Sequence, residues 1–422
     1  MDKPAPLRVL CLSPFFAPLA NAEAFCGSKV ALHLLEAGVD LTVLDVDYTG
    51  HKKFSVDPST LWQPLEQITT SIPPDGGQPK YLSIPLGIRY GTPEWSRWIR
   101  AAVTTARRLH RERPFNVIYS RSLPNVAHLA AYWIAREIGR PWVANFNDPW
   151  DLEGAHLLPQ DREKRKRTLA LRVSEFWLRR VMQTADVVTF PCARLRDYHL
   201  RLASPRGECV VVPHIGSRAP GETTPGQFHL VHAGNLGAGE STRRNTTIEL
   251  LKALRSFLDR SPAAQKNCRL VLVGPEDRPT LALAQEMGLS PYVSCTGRLS
   301  YQASLERIAS ATVCLLVEGN MPEGIFLPSK FPDYIRAGKP VIALSPSVGT
   351  IADLGSERGV TQVSVANPAA IEAAIARHYE AFARGQLASL EPSRELAQHY
   401  DGTRIGQQLA GLFAGLIARA PV

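Results

Sequence analysis

The residues with the strongest chemical character gather between Glu323 and Asp333. A polar loop there carries Glu323, Ser329 and Lys330, and a helix expected over residues 331–337 places Asp333 one turn further on. A helix start presents unpaired N–H groups and partial positive charge, which suit a phosphate. Lys330 adds a full cation, and the neighbouring carboxylates suit sugar hydroxyls. A second basic group follows the turn Gly234-Asn235-Leu236-Gly237, where Arg243 and Arg244 precede another expected helix. Two guanidiniums at such a place can clamp a diphosphate. In the first half, Asp148 of Asn147-Asp148-Pro149-Trp150 follows an apolar strand. It can accept a hydrogen bond from a substrate hydroxyl or act as a base, or simply cap the next turn.

These groups are presented by a repeating strand–helix pattern. Apolar runs at residues 7–12, 41–46, 116–120, 142–146, 185–190 and 209–212 predict strands, with helices over 28–37 and 126–138 between them. Residues 214–227, rich in Gly, Pro and Thr, read as a linker. A second series then opens with a strand at 228–233, a polar loop and a helix at 246–260, whose Leu250, Leu251, Leu254, Phe257 and Leu258 form one apolar stripe. Further strands are expected at 269–273, 293–296, 312–317 and 341–344. Gly338 ends the helix bearing Asp333 and Pro340 prevents its resumption. Helices are expected again over 394–418. Strands alternating with helices give parallel sheets covered on both faces, whose ligands bind beyond the carboxyl ends of the strands.

The 422 residues exceed one average core and predict two domains; 45% hydrophobic and 21% charged residues make the chain globular. The net charge of +9 favours an anionic partner: a nucleotide-sugar, a phospholipid surface or nucleic acid. No nucleic-acid motif accompanies it. The mean hydropathy is −0.10, and no apolar run is long enough to span a bilayer. Seven cysteines without a C-x-x-C pair read as reduced thiols rather than a zinc site. Lys3, Arg8 and Ala20-Asn21-Ala22 imitate a secretion signal, but Ser13, Pro14 and Pro18 break its apolar part and cleavage would remove the first strand. Asp45-Val46-Asp47 imitates a metal-binding Asp-x-Asp, yet its place at the end of the second strand reads as strand termination.

The run Pro328-Ser329-Lys330, Asp333-Tyr334 and Ala337-Gly338-Lys339-Pro340-Val341 resembles the donor-binding signature of retaining family 4 glycosyltransferases of the GT-B fold. Asp148-Pro149-Trp150 is similar to a loop of the same branch, and Gly274-Pro275-Glu276 and Thr296-Gly297-Arg298 resemble two further family positions, of which the second lies beside the nucleobase in relatives. The resemblance implies an α/β GT-B architecture of two facing Rossmann-like domains: an acceptor domain over 1–213, a donor domain over 214–393, and a C-terminal helix within 394–422 crossing back to the first. It implies transfer of a sugar from a nucleotide-diphosphate sugar of UDP or GDP type to a hydroxyl acceptor, with no metal and no other cofactor.

By the same resemblance Gly27 stands where relatives carry Gly-Gly before the first helix, although Cys26 replaces the first glycine. Gly234, Asn235, Gly237, Arg243 and Arg244 stand in the phosphate loop, Arg298 beside the base, Ser329 and Lys330 at the diphosphate, and Asp333 at the ribose. The acid that holds the donor sugar is Glu323 if this loop is two residues longer than in relatives; Glu318 is the competing choice. The basic and aromatic residues of 161–180 are expected to touch an anionic membrane peripherally, unless they form a solvated helix face with Phe176 and Trp177 in the core. The implied setting is surface polysaccharide or glycolipid assembly, in the cytoplasm or at the inner face of the membrane, with natural-product glycosylation as the alternative pathway. An epimerase or hydrolase of nucleotide-sugars, or a non-catalytic nucleotide-sugar-binding protein, would share the fold.

Overall fold

Short runs of Val, Leu and Ile form parallel strands here because both faces of each sheet are covered by helices. The structure, a computed structural model, describes residues 6–48, 51, 54–150, 169–239, 243–355, 357 and 359–419. These fall into two units: one holds residues 6–150, 169–213 and 402–419, the other residues 214–401.

The first unit contains β1 (Arg8–Leu12), β2 (Asp40–Val46), β3 (Thr69–Ile72), β4 (Val117–Arg121), β5 (Trp142–Asn145), β6 (Val187–Phe190) and β7 (Glu208–Val211). They form one parallel sheet in the order β3-β2-β1-β4-β5-β6-β7. The order reverses between β1 and β4, which places the ligand end of this sheet after those two strands. The main helices of this part are α1 (Ala22–Glu36), α2 (Ser83–Tyr90), α3 (Ser96–Glu112), α4 (Val126–Ile138), α5 (Leu169–Met182) and α6 (Ala193–Leu202).

Helix α1 begins six residues earlier than its sequence pattern indicates. The Asn21 side chain accepts the Ala24 N–H at 2.8 Å and caps it, so Gly27 lies inside the helix rather than in a loop.

The second unit contains β8 (Phe228–Ala233), β9 (Cys268–Val273), β10 (Val293–Cys295), β11 (Val313–Val317), β12 (Val341–Ser345) and β13 (Val360–Ser364). Its sheet runs β10-β9-β8-β11-β12-β13, with the reversal between β8 and β11. Helix α7 (Arg244–Arg260) packs its stripe of Leu250, Leu251, Leu254, Phe257 and Leu258 into the core together with Ile371 and Ile375 of α9 (Pro368–Ala383). The short helix α8 (Phe331–Arg336) lies between β11 and β12 in the chain.

The last helix, α10 (Gly402–Arg419), packs on α1 of the first unit. Gly402 and Gly406 approach His33 so closely that a Cβ on Gly406 would lie 2.5 Å from the His33 carbonyl oxygen. Phe413 meets the Tyr119 ring at 5.3 Å. Among the described residues no helix is long and apolar enough to cross a membrane.

Candidate active site

Both sheets carry charged groups at their reversal points. In the second unit the chain leaves β8 at Gly234, whose φ of +98° favours glycine. The missing side chain also makes room, since a Cβ there would stand 3.1 Å from Lys330 Nζ. The Lys330 ammonium lies 3.4 Å from Nε2 of His232, the next-to-last residue of β8. His232 is fully buried, and its Nδ1 sits 2.9 Å from the Leu315 carbonyl. Burial first, then the charge of Lys330, drives the imidazole well below its ordinary pKa. Nε2 also lies 3.1 Å from the Asn235 carbonyl, so the neutral ring, with one proton, donates to either Leu315 or Asn235, and only with that proton on Nδ1 does Nε2 accept from Lys330. The result is a cation aimed at the glycine turn.

Arg243 adds to it, its guanidinium donating to the Asn235 carbonyl at 3.4 Å. Gly237 donates its N–H to Asp277 at 3.2 Å, which fixes the turn between β8 and α7. Arg244 is the first residue of α7; it, Asn235 and Arg298 are exposed, while Ser329 is half-buried.

Glu318, directly after β11, is 7% exposed, and its Oε2 has no hydrogen-bond partner. Burial pushes its carboxyl up to about 8, against the weaker pull of Arg243. The group is therefore a neutral acid near pH 7, able to donate a hydrogen bond. Glu323 is half-buried in the following loop, where Gly324 is tied to Val348 and Thr350 by backbone hydrogen bonds of 2.9 and 2.7 Å.

Two expectations need correction. Helix α8 does not offer a free set of N–H groups to a phosphate: Phe331 N–H is bonded to the Pro328 carbonyl, Pro332 has none, and Asp333 lies in the first turn. Nor does the Asp333 carboxylate face open space. Asp333 is 4% exposed; its Oδ1 accepts the Ser217 N–H at 2.8 Å and its Oδ2 the Tyr301 hydroxyl at 3.1 Å. It ties the segment after Pro213 to α8 and the helix Tyr301–Ala309.

In the first unit the sequence shows Asp148 but not its partner. Glu23, in the first turn of α1, accepts the Leu123 N–H at 3.1 Å and the Asn147 side-chain amide at 2.8 Å through Oε2. Glu23 and Asp148 are hydrogen-bonded to each other. Burial raises the pKa of both, and the negative charge of Glu23 raises Asp148 further, to about 8. Two carboxyls this close share one proton near neutrality and carry one negative charge between them. Buried Arg121, ending β4, opposes that charge and donates to Tyr119 at 2.8 Å and to Asn147 at 3.4 Å. Gly27 faces this group from α1, where a Cβ would stand 2.9 Å from Ser13 Oγ and 3.6 Å from Arg121 Nε.

The stretch expected to touch a membrane lies partly outside the described residues, at 161–168. In the described part Trp177 is buried as expected of a core residue, whereas Phe176 is 55% exposed. Helix α5 is rotated so that Phe176 faces outward with Leu169 and Val173.

Two parallel α/β units, of seven and six strands, are the architecture of the GT-B fold. Residues 30–214 match the family described as glycosyl transferase 4-like domain, and residues 228–381 match glycosyl transferases group 1. The chain is thus built of the two domains of a GT-B glycosyltransferase. No curated protein sequence matches it. Among solved structures it is similar to sucrose-phosphate synthase from Thermosynechococcus elongatus, with 15% identity, a TM-score of 0.69, and coverage of 98% of this chain and 100% of that one. Anabaena HepE, in complex with UDP and glucose, gives 16% identity and a TM-score of 0.66 over 97% of this chain and 100% of that one. An E. coli structure titled trehalose-6-phosphate, bound with UDP-2-fluoro glucose, gives 12% identity and 0.63 over 98% and 100%.

Proposed function

We propose that the chain is a retaining, metal-independent glycosyltransferase that moves a hexosyl group from a UDP- or GDP-sugar to an acceptor hydroxyl. The observation that carries this reading is the Lys330 ammonium, seated on neutral His232 and directed at Gly234 where β8 ends. A diphosphate at that turn would meet Lys330 and Arg243, and neutral Glu318 would donate to a donor hydroxyl or phosphate oxygen. Asp333 serves the site by holding α8 in place.

In the reaction the bond from the anomeric carbon to the diphosphate breaks and the bond to the acceptor oxygen forms. The acceptor's proton leaves with the diphosphate, whose growing charge Lys330 and Arg243 offset. The singly charged Glu23–Asp148 pair of the first unit orients the acceptor hydroxyl. The exposed apolar and basic residues of α5 favour work at the cytoplasmic face of a membrane, in surface polysaccharide or glycolipid assembly.

A thermal-shift panel of nucleotides and nucleotide-sugars tests the donor half, because a ligand of the native state raises the melting temperature. Either UDP or GDP should stabilise the wild type, and Lys330→Ala should weaken that nucleotide about tenfold or more. Equal affinity in the variant would refute the site. Incubation with the donor alone separates the chemistries: an epimer or rapid release of free sugar would replace the transferase with an epimerase or hydrolase.

A further inference from the structure

A cavity of about 990 Å³ opens in the first unit among α2, the segment that links α2 to α3, and helices α4 and α5. It lies at the upper end of the volume typical for small-molecule sites, roughly 300–1,000 Å³. Its walls are apolar, with Trp95, Leu129 and Trp177 among them. Its polar side chains are Thr92, Asn125 and Ser174: Asn125 donates to the Trp150 carbonyl at 3.0 Å, its Oδ1 has no partner, and Ser174 accepts the Trp150 indole N–H at 2.9 Å. So largely apolar a lining suits an apolar body, with Asn125 Oδ1 left to accept one hydrogen bond from it.

The cavity shares its wall with the carboxyl pair. Pro124 follows Leu123, whose N–H is bonded to Glu23, and Trp150 stands two residues after Asp148. Its rim is unusual as well. Leu169, Val173 and Phe176 of α5 line it while remaining 77%, 37% and 55% exposed. Isolated apolar surface is ordinary, but three large residues at helical spacing along one opening extend the apolar track past the cavity. Arg172, Arg179 and Arg180 are exposed on the same helix, and the Arg180 guanidinium stands 5.9 Å from the centre of the Phe176 ring.

The geometry points to an amphiphilic acceptor: a hydroxyl-bearing lipid whose hydrocarbon body fills this cavity and whose anionic headgroup meets the arginines of α5. This inference names the acceptor class for the transferase proposed above and rests on that reading for the fate of the hydroxyl, though not for the binding itself. The arginines and the open rim decide for a lipid over a small flat aromatic alcohol. A compact aromatic would use neither the basic flank nor the apolar track outside the cavity.

Three tryptophans line the cavity, so a long-chain ω-bromoalkanol, bromoundecanol, reports on it directly by quenching their emission. Wild-type protein should show saturable, partial quenching. The double variant Val173→Glu and Phe176→Glu alters exposed positions, so its melting temperature should stay near that of the wild type while half-saturation rises about tenfold or more. Arg172→Glu with Arg180→Glu should weaken binding of an alkyl phosphate and leave bromoundecanol unaffected. Non-saturable quenching, equal affinity in the Val173/Phe176 variant, or tighter binding of bromonaphthol than of bromoundecanol would overturn the proposal. None of these readouts requires turnover. Nucleotide binding that fails at Lys330 would remove the transferase reading alone, and quenching that fails here would remove the lipid alone.

Discussion

Replacing Glu318 by Gln isolates one buried proton. The folded chain holds this carboxyl at a pKa of about 8, against 4.5 for an ordinary glutamate, because burial outweighs the pull of Arg243. Between those two values the native state binds the proton and the unfolded state does not, so stability falls as pH rises. The contribution is intact below the unfolded pKa and is lost as pH climbs through the folded one. At 1.36 kcal/mol per pH unit, the loss between about pH 5 and about pH 8 is roughly 3 kcal/mol. The Glu318→Gln chain carries a neutral amide throughout and should lack this slope.

Urea titrations at the two pH values test this, with unfolding followed by two signals. All seven tryptophans lie in the first unit, so their fluorescence reports that unit, while circular dichroism reports both. The wild type and the variant should diverge by about 2–4 kcal/mol between the two pH values in the dichroism transition that fluorescence does not follow. Parallel profiles would mean that Glu318 is ionised in the folded chain, and the neutral-donor reading of the site would fail. A divergence confined to fluorescence would refute it equally.

Other outcomes follow from single contacts. Asp333→Asn leaves only one acceptor oxygen for Ser217 and Tyr301, and should destabilise the second unit by about 1–3 kcal/mol by urea titration. Unchanged stability with a specific loss of nucleotide affinity would instead restore a ribose contact. Asp148→Asn should lower kcat about 100-fold or more, with the KM for the nucleotide-sugar little changed, because the proposed donor site lies in the other unit. Wild-type turnover should decline as pH passes about 8, where the Glu23–Asp148 pair gives up its shared proton. A fall in donor affinity matching the fall in kcat would contradict that division of roles.

The inner strands of both sheets are legible because they are buried on both faces and read as unbroken apolar runs, whereas the edge strands β3 and β13, polar and half-buried, carry no such signal. Segments such as Val313–Val317 and Val341–Ser345 need no partner to be recognised. Of the candidate site, residue type and local spacing single out Lys330 and Asp148. Glu23 went unnoticed because an acid in the first turn of a helix is ordinary, and the capping role of Asn21 that creates this turn was missed. His232 lies within an apolar strand, and its partner Lys330 is 98 residues away. Asp333 shows the opposite limit. Local spacing puts it three residues after Lys330, but its direction is set by Ser217 and Tyr301, 116 and 32 residues distant, which no local pattern encodes.

Helix α10 makes the first unit discontinuous, with the whole second unit inserted between Pro213 and Gly402. A ribosome therefore delivers the finishing piece of the earlier half last. Until Gly402 and Gly406 emerge from the exit tunnel, the surface of α1 around His33 that they cover stays wet, while residues 214–401 already have every strand they need. Removing the final helix would leave the amino-terminal half permanently in that unfinished condition.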